Sequence, residues 1–259
     1  MLKRFIAFLL TFAVIVCAFS SCDLILGKDY SAVVEAADAA LDTTEHTVNI
    51  SVSFSSTNEE LKKVISSLDA SEIKMVRKGN DFKIDLAFSL GDDNYSESYI
   101  IVGNDMYHSL SYRSDSVKQK ATIMSGDKAK VVAAAGAGAI LSCEDFENVT
   151  MESSSTVNLI TCKQIKADSK ETLVEMFLAN FDGLAESVSV SDAELSIRIL
   201  EGKYNGMYLS CTYEIVIGGV SYDVKMQSVR EYDITTPVSV EIPEDASEYS
   251  FVTYSEIIK

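Results

Sequence analysis

The stretch EIKMVRKGNDFKIDLAFSLGDDNYSESYIIVGNDMYHSLSY, residues 72–112, decides the fold. It contains four runs, EIKMVRK, DFKIDLAFSL, YSESYIIV and MYHSLSY, separated by GND, GDDN and a second GND. Apolar and polar residues alternate with the two-residue period of a half-buried strand. Gly, Asn and Asp between such runs are the chemistry of tight turns, so the stretch is expected to fold as antiparallel hairpins. Phe82, Ile84, Leu86, Phe88 and Leu90 share one face of the second run, opposite Lys83, Asp85 and Ser89. A sheet with one apolar face needs a second layer to cover it.

Working outward, the same two kinds of element recur. Residues 29–42 place Tyr30, Val33, Val34, Ala37 and Leu41 on one helical face, with Asp29 as a capping residue. Residues 46–56 alternate as a strand. From Thr57 a helix is expected with a Thr57–Glu60 capping box and a stripe of Leu61, Val64, Ile65 and Leu68. Residues 127–142 read as a helix whose AAAGAGA stretch, with Gly136 and Gly138, suits close packing; a gate whose backbone approaches a ligand is the alternative. A hairpin is expected over 147–153 and 156–166. A helix follows over 169–182, capped by Asp168 or Ser169 and stopped by Gly183, with Leu173, Met176, Phe177 and Phe181 inward. Strands then run over 193–201, 206–217 and 220–234. The segment PVSVEIPEDA, from Pro237, is expected as a short closing strand. This gives about eleven strands and four helices, a proportion typical of an α+β domain.

The first residues carry a different message. Lys3 and Arg4 precede an apolar run from Phe5 to Phe19, broken only by Thr11. That run is shorter than the roughly 20 residues a spanning helix needs and has the layout of a secretory signal. It ends in Phe19-Ser20-Ser21-Cys22, which resembles the lipobox of bacterial lipoprotein signals. Phe19 departs from the smaller residue usual there. The resemblance implies a signal peptide over 1–21, diacylglyceryl on Cys22, a tether over 22–28 and one domain over 29–259. An anchor on the extracytoplasmic face of the cell membrane follows. Two acyl chains hold a protein stably, since each buried CH₂ contributes about 0.8 kcal/mol. Seven tether residues reach at most about 25 Å, so the domain would sit close to the bilayer.

Without residues 1–21 the chain keeps 20 basic against 39 acidic residues, a net charge of −19. Nucleic acid is excluded as a partner, because its phosphates would be repelled. The charge otherwise serves solubility.

The order of elements, a helix, a meander, inserted helices, a second meander and the closing Pro237-Val238-Ser239-Val240-Glu241-Ile242-Pro243, resembles the LolA-like and LppX-like half-barrel lipoproteins. The resemblance implies a strongly curved antiparallel sheet wrapped around a few helices, with an apolar ligand space between them. An acyl lipid or another hydrophobic molecule would then meet Phe82, Ile84, Leu86, Phe88, Met106, Met176, Met207, Leu209, Tyr213, Val224 and Met226. Methionines at five inner positions, Met75, Met106, Met176, Met207 and Met226, suit an adaptable lining, and equally an ordinary packed core.

No nucleophile elbow, metal-protease motif, phosphate loop or calcium loop is present, and no cofactor is expected. The chain is read as non-catalytic. GDDN offers far fewer than the roughly six to eight oxygens calcium takes. His108 shares the phase of Met106 and Leu110 and is read as a hydrogen-bonded core residue; His46 follows a helix end. Cys143, Cys162 and Cys211 are read as buried thiols, with a Cys162–Cys211 bridge as the alternative. A second functional reading, a structural lipoprotein contacting another envelope protein, rests on Tyr95, Tyr99, Tyr107 and Tyr112 as interface residues.

Overall fold

A computed structural model describes residues 28–43, 45–59, 61–62, 71–90, 93–134, 141–180 and 186–258. The leader, the lipobox with Cys22, Glu60 of the capping box, Val64, Ile65, Leu68, Gly136, Gly138, Phe181 and Gly183 lie outside the described residues. Among the described residues no helix is long and apolar enough to cross a membrane.

The strands are β1 (His46–Ser56), β2 (Ser71–Lys78), β3 (Asp81–Leu90), β4 (Asp93–Val102), β5 (Asp105–Tyr112), β6 (Asp115–Thr122), β7 (Phe146–Ser153), β8 (Val157–Ile165), β9 (Ser187–Leu200), β10 (Lys203–Ile217), β11 (Val220–Asp233) and β12 (Ser250–Phe251). The helices are α1 (Lys28–Thr43), α2 (Lys128–Ala134), α3 (Ala167–Asn180) and α4 (Tyr254–Ile257). All twelve strands form one open, curved sheet in the order β12-β6-β5-β4-β3-β2-β1-β11-β10-β9-β8-β7. The fold is thus the α+β curved sheet expected.

Two meanders, β1–β6 and β7–β11, become one sheet at a single seam. There β1 pairs with β11 over ten positions, from Thr47 opposite Asp233 to Ser56 opposite Val224. The ladder is antiparallel throughout except at the edge, where β12 runs parallel to β6. Two-residue turns set the long hairpins. Gly218 and Gly219 take φ of 60° and 74° between Ile217 and Val220, the backbone that a right-twisted hairpin demands.

Alternation along the strands sends one face inward. It divides into two apolar clusters. One gathers Phe54, Phe146, Ile160, Leu173, Leu195, Ile197, Leu209, Tyr213, Val224 and Met226 beneath α1 and α3. The other gathers Val48, Ile50, Ile73, Ile84, Leu86, Ile101, Met106 and Val131. Val52 and Tyr232, on either side of the seam, pack against both.

Several expectations need correction. Residues 237–243 form no strand; the segment runs without a sheet partner to β12, which forms the edge of the sheet beside β6. Pro237 and Pro243 have no N–H to give a ladder. Strand β6, DSVKQKAT, was not expected, because its polar residues mask a short alternation of Val117, Gln119 and Ala121. Among the described residues the total is therefore twelve. Strand β9 begins six residues earlier than expected, with an irregularity between the pairs Thr212–Asp192 and Tyr213–Val190 that restores its phase. After β1, Asn58 Oδ1 accepts from the Leu61 N–H at 2.9 Å and Asn58 O from the Lys62 N–H at 2.8 Å, the bonds of a helix start one residue beyond Thr57. Helix α3 starts at Ala167, two residues early, and Ser169 instead gives its hydroxyl to Asp145. Helix α2 is described to Ala134, and Leu141 and Ser142 are not helical.

Candidate functional site

On the inner face of β4 the sequence Tyr95-Ser96-Glu97-Ser98-Tyr99 puts two phenols and a carboxylate side by side, two residues apart. The register brings His108 of β5 opposite Tyr99, and Gln119 of β6 opposite His108. The result is a buried polar group inside an apolar cluster. Glu97 is 5% exposed and His108 6%. Glu97 Oε1 accepts from the Tyr99 hydroxyl at 2.6 Å and meets His108 Nε2 at 2.7 Å. Its Oε2 accepts from the Tyr95 hydroxyl at 2.8 Å. His108 Nδ1 lies 3.4 Å from Gln119 Oε1, and the imidazole stacks on Tyr99 with ring centres 4.7 Å apart.

Burial, reinforced by the Glu97 carboxylate, holds the hydroxyls of Tyr95 and Tyr99 far above the ordinary phenol range. Both therefore remain donors at any physiological pH. A carboxylate has about four lone-pair sites. Three are filled by Tyr95, Tyr99 and His108. The group holds no nucleophile, and among the described residues no cluster of three or more His, Cys, Asp or Glu could hold a metal. Its chemistry is hydrogen bonding and charge in a dry setting.

A second polar group lies at the seam. Arg230 is 8% exposed on β11, between Ile50 of β1 and Met207 of β10. Burial lowers its guanidinium pKa, while Tyr232, hydrogen-bonded to it, opposes the shift. Tyr232 stacks on Tyr204, with ring centres 5.4 Å apart, and gives its hydroxyl toward Met207 Sδ at 3.2 Å. Tyr204 in turn donates to Asp38 of α1 at 2.8 Å. Partial burial raises the Asp38 carboxyl above its ordinary value.

The structure distributes the expected lining over both clusters. Ile84, Leu86 and Met106 are buried with the Glu97 group, and Phe82 is half-buried beside them. Leu209, Tyr213, Val224 and Met226 are buried in the other cluster, with Met207 partly buried at its border. The side chains of Phe88 and Met176 lie outside those described. His108 is the hydrogen-bonded core residue expected. Three of the four proposed interface tyrosines are not at the surface: Tyr95, Tyr99 and Tyr107 are buried, and Tyr112 is half-buried. Each pairs with a neighbouring strand on a face that is covered. Glu97 was missed as a site residue. The Tyr-x-Glu-x-Tyr spacing was its signal, since a period of two places all three on one face.

Cys143, Cys162 and Cys211 are free and buried. The alternative Cys162–Cys211 bridge is excluded by register. Cys162 pairs across to Leu195 of β9, and Cys211 of β10 to Ala193 of β9, so a whole strand separates them. Two strand spacings come to about 10 Å, beyond the roughly 7 Å a disulfide spans between Cα atoms.

No family model matches the chain, and no curated protein matches it. Among solved structures it is similar to the crystal structure of Rv2717c from M. tuberculosis, at 8% identity over 76% of this chain and 97% of that one. The TM-score is 0.20, too low for the likeness to bear on fold or function.

Proposed function

We propose that this chain is a non-catalytic lipoprotein, held at the extracytoplasmic face of the cell membrane by lipid on Cys22, that binds an acyl lipid or another hydrophobic molecule on the inner face of its open sheet. The observation that carries this reading is the makeup of that face. It is apolar along its length and interrupted by two buried polar groups, one around Glu97 and one around Arg230. Apolar walls with a few convergent polar groups are the usual makeup of a site for a small hydrophobic ligand. Extraction of the purified intact chain with organic solvent, followed by mass analysis, is expected to release a non-covalent lipid. A fluorescent fatty acid is expected to bind saturably once that lipid is stripped. A chain that yields no lipid and binds no apolar probe would overturn the reading.

A second reading, a structural lipoprotein with a closed core that meets another envelope protein, has its own support. Ile84, Ile101, Met106 and Met226 are completely buried, as in an ordinary packed interior. Among the described residues, strand β7 is an edge of the sheet, beside β8. Cross-linking in cells that captures one defined partner through β7, together with an empty core, would favour it.

A further inference from the structure

The chain after β11 passes from one face of the sheet to the other around the β6 edge. The register fixes the two faces there. Gln119 stands opposite His108 and meets it, and Ala121 stands opposite Met106 in the inner cluster. The two-residue period then turns Lys118 and Lys120 outward, together with Tyr107 opposite Lys120. On that outer side Lys118 Nζ grips the Asp245 and Glu248 carboxylates. Tyr249 packs edge-on to Tyr107, with ring centres 5.5 Å apart, and Tyr107 is buried. Ser250 and Phe251 next lie beside Gln119 and Lys120, and the Val252 N–H donates to Lys120 O at 2.9 Å. Beyond this edge α4 turns to the inner side. There Tyr254, Ile257 and Ile258 pack against the cluster that holds Met106, Ala121 and Ile123.

The attachment is slight for a part that covers a core. It consists of one helical turn, a ladder of two residues and the grip of Lys118. The Tyr254 hydroxyl is buried beneath it without a hydrogen-bond partner among the described residues. A buried donor left unpaired favours release to water. Docking thus buries apolar surface and strands a hydroxyl, a balance suited to reversible opening.

We propose that residues 245–258 are a strap that governs access to the inner face. The Lys118 clasp on the outer side holds α4 down on the inner side, and release of the clasp opens the cluster around Met106 at the β6 edge. The inference needs no ligand on that face.

The test follows entry of hydrogen peroxide into the intact chain, through the oxygen it adds to methionine sulfur. Met106 is completely buried in the cluster that α4 covers, Met226 is completely buried in the other cluster, and Met124 is 78% exposed. Peptide masses after timed exposure give all three rates in one protein. Where opening is fast relative to oxidation, each rate follows the population of the open form. Lys118→Ala removes both ion pairs and is expected to raise the Met106 rate roughly two- to tenfold. Ile257→Ser, which loosens α4 from its own side, is expected to raise it as well. The Met124 and Met226 rates are expected to stay as they are in the unaltered chain. A Met106 rate unmoved in either variant, or a Met226 rate that climbs in step with it, would overturn the proposal.

Discussion

Glu97 shows how a single buried charge fixes its surroundings. Two phenols from β4 and an imidazole from β5 aim at it, so the carboxylate sets the polarity of the site. An amide in its place presents N–H groups to at least one of these donors. Glu97→Gln is therefore expected to cost about 1–3 kcal/mol, the penalty of an unsatisfied buried polar group. The check is a fall in the urea midpoint at unchanged slope; an unmoved midpoint contradicts it. The opposite sign is expected at Glu201. This residue adopts φ of 51° in the turn between β9 and β10, where only Gly, Asn and Asp sit easily. Glu201→Asn should raise stability by up to about 1 kcal/mol, read from the same denaturant curve. At this scale the sequence was only partly legible. His108 could be placed in the core from its phase with Met106. The tyrosines beside Glu97 could not, because alternation says which residues share a face and not which face is covered.

Among the elements, the C-terminal segment is held mainly by side-chain bonds and charge, with a ladder of two residues where β12 meets β6. Asp233 starts it by accepting from the Thr235 and Thr236 N–H groups at 2.9 and 3.1 Å. Lys118 of β6 grips Asp245 and Glu248, Tyr249 packs edge-on to Tyr107, and Glu256 caps α4 by accepting from Thr253. Hydrogen bonds from Thr236 and Thr235, from Lys118 and from Thr253 hold the Asp233, Asp245 and Glu256 carboxyls below their ordinary values. A group depressed in the folded state contributes stability above its unfolded pKa, about 4 for a carboxyl, and loses it as pH falls through the folded value. Acidification below about pH 4 should thus loosen this segment first. Hydrogen exchange checks it. The Val252 amide, bonded to Lys120 O at 2.9 Å, should lose protection while amides of β10 and β11 keep theirs. Uniform loss across the sheet would contradict the expectation. The hairpins around residues 72–112 were legible because turn chemistry and alternation agree there. The path after β11 was not, since Val238, Val240 and Ile242 alternate like a strand between prolines that deny it a ladder. Strand β6 hid for the converse reason: its register comes from β5, not from its own pattern.

For the whole molecule the seam between β1 and β11 does the joining. It turns two local meanders into one twelve-stranded surface with two clusters on its inner side. The halves are expected to unfold together through that junction, so Ile50→Ala, which empties a buried position on it, tests the coupling. One cooperative transition, shifted to lower denaturant, is expected; two separate transitions would show that the halves stand alone. At the other end of the chain, Cys22→Ser should release the protein from the membrane fraction and abolish labelling by radioactive palmitate. Retention of the label would contradict a lipid on that sulfur. The proposed role joins these points, a tethered sheet with something apolar on its inner side. It is tested most directly by comparing the mass of the intact chain sprayed under native conditions with its mass after acid unfolding. Lipid on Cys22 contributes equally to both, so the folded form should be heavier by one hydrophobic molecule. Equal masses, in a chain that also takes up no added fatty acid, would contradict it.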